Sequence, residues 1–146
     1  EGYFDEKRLS GFYNPYRISV NPNDGTVWVT DHANDKVVKL KADGTGEIVR
    51  VSGFDGPWGI SVNPVDGSVW VSSWYQNQVV KLSSTGSELV RKSGFNHPAG
   101  VEVDSARNVV WVAHLDLGRS QRWFCLGGRS VQQPGGEAGG QHSRWL

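Results

Sequence analysis

Short runs of alternating hydrophobic and polar residues fill most of the chain, and the same runs recur at a fixed distance. The stretch "NPNDGTVWVTDHANDKVVKL" begins at Asn21, and "NPVDGSVWVSSWYQNQVVKL" begins 42 residues later at Asn63. Within each copy the segments "ISV", "VWV" and "VVKL" follow the period of two that is typical of a strand, and helical spacing is absent. A repeat of this length predicts that each copy is one unit of packing.

Turn residues divide each complete copy into four predicted strands. The pairs Asp24-Gly25 and Asp66-Gly67 follow the first strand, and Gly there supplies the positive φ of a tight turn. A third copy begins with "GFNHPAGVEVD", continues with "NVVWVA" and loses the repeat after Leu117. Four-stranded units of about 40–45 residues are typical of β-propeller blades. The predicted fold class is therefore all-β, with antiparallel blades of 41–42 residues and an incomplete ring.

The repeat boundaries divide the chain into five predicted segments. The first is the outer strand of a preceding blade, because "DEKRLSGF" aligns with the fourth strands "EIVRVSGF" and "ELVRKSGF". A Gly-rich tail ends the chain, and we expect it to be disordered or foreign to the natural protein. The segments are 1–10 (outer strand), 11–52 (blade one), 53–93 (blade two), 94–126 (partial blade three) and 127–146 (tail).

A longer pattern is shared by "PYRISVNPNDGTVWVTDHANDKVVKL" from Pro15 and "PWGISVNPVDGSVWVSSWYQNQVVKL" from Pro57. It resembles the NHL-type repeat of six-bladed β-propellers over residues 5 to about 117. Such propellers include scaffolds, RNA binders, sugar-lactone hydrolases and lyases, so that the resemblance implies a fold and no single activity. Three blades do not close a ring. The chain begins with Glu1 and contains no Met, so we expect a piece of a longer protein or a homodimer that completes six blades.

Composition and charge argue against several classes of function. The 15 Lys and Arg residues balance 15 Asp and Glu residues, which is unfavourable for a nucleic-acid binder held by phosphate contacts or for a polybasic membrane anchor. No apolar run approaches the roughly 20 residues of a membrane span. The single Cys125 cannot form an internal disulfide or a Cys-rich zinc site. No motif of a nucleophilic hydrolase or a phosphate-binding loop is present.

One face of the predicted blades collects the residues most suited to binding. It is built by the loops between the second and third strands and by the links between blades, and loops carry most binding residues. Aromatic side chains beside Asn and Gln, as in "SSWYQNQ", suit a sugar or a peptide ligand, and packing between the loops is the alternative. The candidate residues are Tyr16, Arg17, His32, Asp35, Trp58, Trp74, Tyr75, His97 and His114.

Two metal sites are alternatives that would favour an enzyme fragment. His32, His97 and His114 map to the loop face, and three imidazoles suit zinc. The stretch "WVTDHANDKVVKL" is similar to the histidine-bearing loop of peptide-amidating lyases, but the ligand position falls on Asp35. The resemblance to lactonases would imply calcium near the channel, where Glu102 is the candidate ligand. We expect no catalytic residue and no cofactor, with a zinc- or calcium-dependent lyase or lactone hydrolase as the alternative.

A Trp recurs at one position of every copy, as Trp28, Trp70 and Trp111. A blade cannot bury both of its faces alone, so we expect these side chains to pack between blades rather than to form a ladder for ligands. The function predicted from the sequence is that of a binding or scaffold module, with its sugar, peptide or protein partner on the loop face.

Overall fold

The computed structural model describes residues 6–115 and 122–126, in which eleven strands form three antiparallel sheets. Within these residues, no helix has the length and apolar character needed to cross a membrane. The single 3-10 helix, His32–Asn34, lies between the second and third strands. The strands are β1 (Pro15–Val20), β2 (Val27–Asp31), β3 (Lys36–Leu40), β4 (Glu47–Val51), β5 (Pro57–Val62), β6 (Val69–Ser73), β7 (Gln78–Leu82), β8 (Glu88–Ser93), β9 (Pro98–Asp104), β10 (Val109–His114) and β11 (Arg122–Leu126).

The three sheets confirm the prediction of propeller blades with an incomplete ring. Blade one has the strand order β1-β2-β3-β4 and blade two has β5-β6-β7-β8, so that each strand pairs with the strand that follows it in the sequence. Blade three contains β9, β10 and β11. Its third strand, β11, pairs with β10 in a segment where the sequence repeat is no longer visible.

The turns between the first two strands of each blade follow the prediction. Gly25 and Gly67 have φ of 74° and 72°, and Asn108 takes the same role in blade three with φ of 54°. The Asp that precedes each Gly accepts a hydrogen bond from the backbone N–H two residues further along, at 2.9 Å in both blades. Short polar side chains that bond their own turn explain why the repeat keeps Asp at these positions.

The hydrophobic core lies between the blades and not inside any one of them. Trp28 of blade one is fully buried in a cluster with Ile60 and Val62 of blade two. Trp70 of blade two is buried in the same way against blade three. Trp111 occupies the corresponding position of blade three and is 40% exposed. The predicted packing of these side chains between blades is therefore found wherever a following blade is present.

The ends of the chain leave parts of the domain prediction untested. Residues 6–10 form no strand, although they lie beside the outer part of blade one. The assignment of 1–10 to a preceding blade stays a prediction. The predicted tail, 127–146, lies outside the described residues.

Candidate functional site

Four of the predicted site residues form a continuous row of rings across the three blades. The ring centroids of Tyr16 and Trp58 lie 4.1 Å apart, and those of Trp58 and Trp74 lie 4.7 Å apart in a stacked arrangement. His97 continues the series at 5.1 Å from Trp74. Contacts at these distances are typical of interacting aromatic pairs. We call Tyr16, Trp58, Trp74 and His97 the aromatic row.

Two more predicted residues flank the row. The His32 ring lies edge-on to Trp58 at 5.4 Å, and its Nδ1 lies 3.1 Å from the carbonyl oxygen of Pro57. The Tyr75 ring lies 6.3 Å from His32 and is 60% exposed. A Cβ added to Gly56 would lie only 2.5 Å from Tyr75 Cδ2, so this glycine makes room for the tyrosine ring.

Irregular strand pairing positions the row at the loop face. In blade one the register shifts between Pro15 and Arg17, which leaves Tyr16 without a cross-strand partner. Blade two has the same irregularity at Trp58. Bulges re-aim side chains and are frequent beside binding sites. The same position of blade three holds Ala99, so that the row continues there through His97 from the preceding link.

Asp35 is exposed, and its carboxylate also holds the neighbouring link in place. Its Oδ1 accepts a hydrogen bond from Gly56 N at 2.8 Å. Asn77 takes the corresponding place one blade later, where its Oδ1 accepts a hydrogen bond from His97 N at 2.8 Å. Asp35 and Asn77 both have φ of 56°, and His97 has φ of 49°, a region that non-glycine residues rarely adopt. These contacts give Asp35 a structural role and fix the His97 ring against the row.

A second set of hydrogen bonds fixes the link that precedes the first strand of each blade, and His114 takes part in it. In every blade the last residue of the second strand accepts a hydrogen bond from a backbone N–H of the link before the first strand. His114 is buried and its Nδ1 makes such a contact, whereas a role of His114 in ligand binding stays a prediction. The pairs are Asp31 Oδ1 with Tyr13 N at 2.8 Å, Ser73 Oγ with Asp55 N at 3.0 Å, and His114 Nδ1 with Asn96 N at 2.9 Å.

Arginines from the outer strands stabilise the loops beneath the row. Asp31 is fully buried, and its Oδ2 lies 3.0 Å from Arg50 Nη1. The pKa of the Arg50 guanidinium is raised above its usual value, chiefly by the hydrogen bonds to Glu47. Burial lowers this pKa and is the second largest effect, and the hydrogen bond to Asp31 raises it further. Arg91 is the counterpart in blade two and donates to Gln76 and Gln78 at 3.2 and 2.8 Å. A sequence comparison could have found this pair of arginines, because they align in the repeat.

Arg17 contributes a cation at the blade-one end of the row. Its Cζ lies 5.1 Å from the centroid of the Tyr16 ring, within the range of a cation–π contact. Its side chain is exposed, and its Nη1 lies 3.4 Å from the carbonyl oxygen of Tyr16. The guanidinium therefore adds positive charge beside an otherwise aromatic surface.

The three histidines do not assemble into the zinc site that was considered. Their Nδ1 atoms have separate contacts, with Pro57 O for His32, Asn96 Oδ1 for His97 and Asn96 N for His114. Across the described ranges, no three His, Cys, Asp or Glu side chains are grouped closely enough to hold a metal ion. Glu102, the candidate calcium ligand, is exposed on the side of blade three that faces away from blade two.

The aromatic row lies outside the cleft between blades two and three. A cavity of about 300 Å³ lies between blades two and three, and its walls include Trp70, Lys81, Lys92 and Leu126. None of the row residues belongs to it. The four residues of the aromatic row therefore form a partly exposed ridge, with Arg17 at one end and the exposed Tyr75 beside its middle.

Solved structures with a similar fold place the chain among the β-propellers. The hydrazine synthase of Kuenenia stuttgartiensis matches with a TM-score of 0.65 and 16% identity, over 77% of this chain and 33% of that one. A catalytically inactive virginiamycin B lyase from Staphylococcus aureus with quinupristin matches with a TM-score of 0.57 and 18% identity, over 75% and 40%. A chain of a nidogen/laminin complex matches with a TM-score of 0.60 and 20% identity, over 80% and 49%.

These likenesses establish the fold and leave the activity open. Scans against protein-family models and against curated proteins find no match to the sequence. The chain spans less than half the length of each structure named above. The NHL-type repeat stays a resemblance, whereas the coarser conclusion stands: the chain is part of a β-propeller, and propellers of this kind include both binding proteins and enzymes.

Proposed function

We propose that this chain is part of a β-propeller binding module whose aromatic row binds an extended peptide segment of a protein partner. The observation that carries the proposal is the contact of Tyr16, Trp58, Trp74 and His97 from three successive blades in one partly exposed ridge. A ridge made by several blades offers contact points to a ligand longer than a single residue.

The packing of the rings favours a peptide over a sugar. A sugar stacks on an uncovered aromatic face, whereas Trp58 already has the rings of Tyr16 and Trp74 at 4.1 and 4.7 Å. The edges of aromatic rings carry partial positive charge and interact well with carbonyl oxygens. A peptide backbone supplies carbonyl oxygens at regular intervals, and its apolar side chains can pack between the rings.

The composition of the ridge is that of an interaction surface between proteins. Trp, Tyr and Arg are the residues most enriched among those that dominate binding energy in such interfaces. Arg17 and Tyr75 provide the exposed cation and the exposed phenol at the borders of the row. Because the side chains of Asp35 and Asn77 already fix the links by accepting hydrogen bonds from Gly56 N and His97 N, little conformational entropy is lost when a ligand binds.

A structural neighbour gives a precedent at the level of the fold. The nidogen/laminin structure is a complex between proteins that contains a propeller chain similar to this one. With 20% identity, the precedent concerns the use of the fold and no particular residue. The other candidate, a lyase or lactone hydrolase with a channel metal, has no supporting donor group in the described part of the chain.

Selection of peptides on the purified chain tests the proposal. Phage that display random peptides are selected on immobilised protein, and the affinities of the selected peptides are then measured by calorimetry. We expect Trp74→Ala to raise the Kd at least about tenfold, in the range of an interface hot spot. Tyr13→Ala is the matched control, because Tyr13 is an exposed aromatic residue outside the row and its loss leaves the Kd unchanged.

Two outcomes would contradict the proposal. Peptides that bind wild-type protein and Trp74→Ala with equal affinity would place the binding surface elsewhere. Binding to an array of glycans, weakened by Tyr75→Ala and accompanied by no peptide selection, would assign the ridge to a sugar. Equal midpoints of thermal unfolding for the variants would show that any loss of binding comes from the ridge and not from misfolding.

A further inference from the structure

We propose that two copies of this chain associate head to tail, so that blade three of each copy packs against blade one of the other. The two surfaces involved are the side of blade one that faces away from blade two, here called the first-blade face, and the opposite side of blade three, called the third-blade face. Both are exposed in the single chain, and both are repeats of surfaces that are buried inside it.

The first-blade face exposes apolar side chains that its counterparts bury. Ile18 is 66% exposed, whereas Ile60, at the same position of blade two, is 7% exposed. Val20 is 52% exposed, whereas Val62 is buried against Trp28. Contiguous exposed aliphatic side chains at an inner strand are typical of an interaction surface.

The third-blade face presents the complementary element. Trp28 and Trp70 of the earlier blades each pack on the strand-one aliphatic residues of the following blade. Trp111 has the same position in blade three and the same register to its first strand, since it pairs with Glu102 as Trp28 pairs with Ser19. A blade one placed here would receive Trp111 as blade two receives Trp28.

The same hydrogen bond joins each pair of neighbouring blades within the chain. The two open faces carry a corresponding donor, on blade one, and a corresponding acceptor, on blade three. Ser19 Oγ accepts a hydrogen bond from Val62 N at 3.0 Å, and Ser61 Oγ accepts one from Val103 N at 2.9 Å. Glu102 takes the place of these serines in blade three. In the proposed dimer its carboxylate accepts the N–H of Val20 from the second copy, and an ionised acceptor strengthens such a bond.

The fourth strand of blade three also has a source in the second copy. In the described residues, blade three contains three strands and ends at β11. Residues 6–10 have no strand partner, but Lys7 lies on Gly44 of blade one as Val49 of β4 lies on Gly86 of blade two. They therefore occupy the outer-strand position of a preceding blade. When blade one of a second copy docks, its residues 6–10 lie along β11 and can extend that sheet by strand addition.

One hydrogen bond that joins neighbouring blades within the chain has no equivalent between the two copies. Thr30 Oγ1 and Ser72 Oγ donate to carbonyl oxygens of the next blade at 3.0 and 2.8 Å, and Ala113 replaces these hydroxyls in blade three. We therefore expect the contact between copies to be weaker than the contacts between blades of one chain. Because each copy contributes both faces, two copies form two equal contacts, and the arrangement closes when three blades span half of a ring.

Light scattering during size-exclusion chromatography tests the proposal on the whole chain. We expect a mass twice the 16.1 kDa of the chain. Ile18→Asp breaks the first-blade face and Trp111→Asp breaks the third-blade face, and each is expected to weaken the dimer at least about 30-fold. Leu89→Asp is the control, because Leu89 is an exposed aliphatic residue of an outer strand and its change leaves the dimer intact.

A mixture of the two disrupted variants distinguishes a head-to-tail contact from any other. Ile18→Asp retains an intact third-blade face, and Trp111→Asp retains an intact first-blade face, so that together they form one undamaged contact. We expect mixing to restore a dimer that neither variant forms alone. A monomeric wild-type chain, assemblies larger than two copies, or the absence of restoration on mixing would each overturn the proposal. Unchanged circular dichroism spectra of the separate variants would confirm that both are folded.

Discussion

Blade one and blade two have nearly the same sequence pattern and the same strand order, yet they stabilise their loops by different chemistry. The link before blade one is held by the buried carboxylate of Asp31, which also forms an ion pair with Arg50. The link before blade two is held by the hydroxyl of Ser73, and Arg91 donates to the uncharged Gln76 and Gln78 where Arg50 meets Asp31. Both arginines also form an ion pair with the Glu three residues before them, Glu47 or Glu88. The repeat thus preserves the hydrogen-bond acceptor and not the charge, because the geometry of the link requires only an acceptor.

The two blades also differ in burial where their residues are identical. The side chains of Ile18 and Ile60 have the same strand position, but only Ile60 has a preceding blade to pack against. In repeat proteins the stability of a unit depends on its neighbour as well as on its own sequence. The difference teaches that exposure at the end of the array reports a missing neighbour and not a change in the blade.

The largest expected difference between the two blades is the loss of stability when Arg50 or its counterpart Arg91 is removed. We expect Arg50→Ala to lower the free energy of unfolding by about 3 kcal/mol, because the buried carboxylate of Asp31 loses its counter-ion. Arg91→Ala should cost about 1 kcal/mol, because Arg91 bonds the neutral amides of Gln76 and Gln78 and the half-exposed Glu88, and no buried carboxylate is left without a counter-ion. Urea denaturation of both variants measures the difference.

A double variant sharpens this comparison. Asp31→Ser introduces the residue that blade two uses, so that Arg50→Ala in its presence should cost no more than Arg91→Ala does. The coupling between Asp31 and Arg50 would then account for the difference between the blades. Equal losses for the two arginine variants would show that the charge of Asp31 is compensated by its other hydrogen bonds, from Tyr13 and Asn34.

Truncation of the two equivalent isoleucines gives the next largest effect. We expect Ile60→Ala to cost about 2–3 kcal/mol, since it leaves a cavity between the blades. Ile18→Ala should change the free energy of unfolding by less than about 0.5 kcal/mol in dilute solution, where its side chain is exposed. A loss that grows with protein concentration for Ile18→Ala alone would indicate burial in the dimer. Similar losses at all concentrations would contradict the neighbour-dependent burial described above.

The blade pattern was predictable because it depends on local chemistry that the sequence displays. Alternating apolar residues and the Asp-Gly turns specify strands and their order, and the equivalent Trp28 and Trp70 indicated packing between blades. The strand β11 was not predictable, because its sequence no longer resembles the repeat and its pairing depends on β10.

The meeting of the aromatic candidate residues was predictable from the sequence, whereas the contacts of the other candidates were not. Aromatic residues in links and loops must meet on one face of a propeller, and the row confirms that they come together. The sequence did not indicate that Asp35 and His114 bond backbone N–H groups, because such contacts depend on the path of a neighbouring link. Alignment of Asp35 with Asn77, and of His114 with Asp31 and Ser73, would have been the available signal.

Loss of the link-supporting acceptors should have a smaller effect than loss of the arginine or isoleucine. Asn77→Ala is expected to destabilise the chain by about 1 kcal/mol, because His97 N loses its acceptor and the residue at 77 keeps a positive φ. The same change should weaken peptide binding, since His97 belongs to the row. Asn77→Asp retains an acceptor, as Asp35 does in the preceding loop, and should preserve both properties. Unaltered peptide binding by a destabilised Asn77→Ala would show that the His97 ring contributes nothing to the ridge.

The smallest expected difference lies in the acidic turns of the two blades. The hydrogen bond from the Thr26 hydroxyl is the largest influence on Asp24 and lowers its pKa below the usual 3.8. Burial is the largest influence on Asp66 and raises its pKa, but hydrogen bonds from Ser68 outweigh it and the net pKa is lowered. Both carboxylates therefore stabilise the fold well above pH 3.8, and this contribution is lost as the pH falls through their folded pKa values. We expect Thr26→Ala and Ser68→Ala each to raise the pKa of the adjacent Asp, and the final pKa to be higher at Asp66, where burial also raises it most. Carboxyl titrations followed by NMR measure both values, and a final pKa at Asp66 no higher than that at Asp24 would contradict the assigned role of burial in blade two.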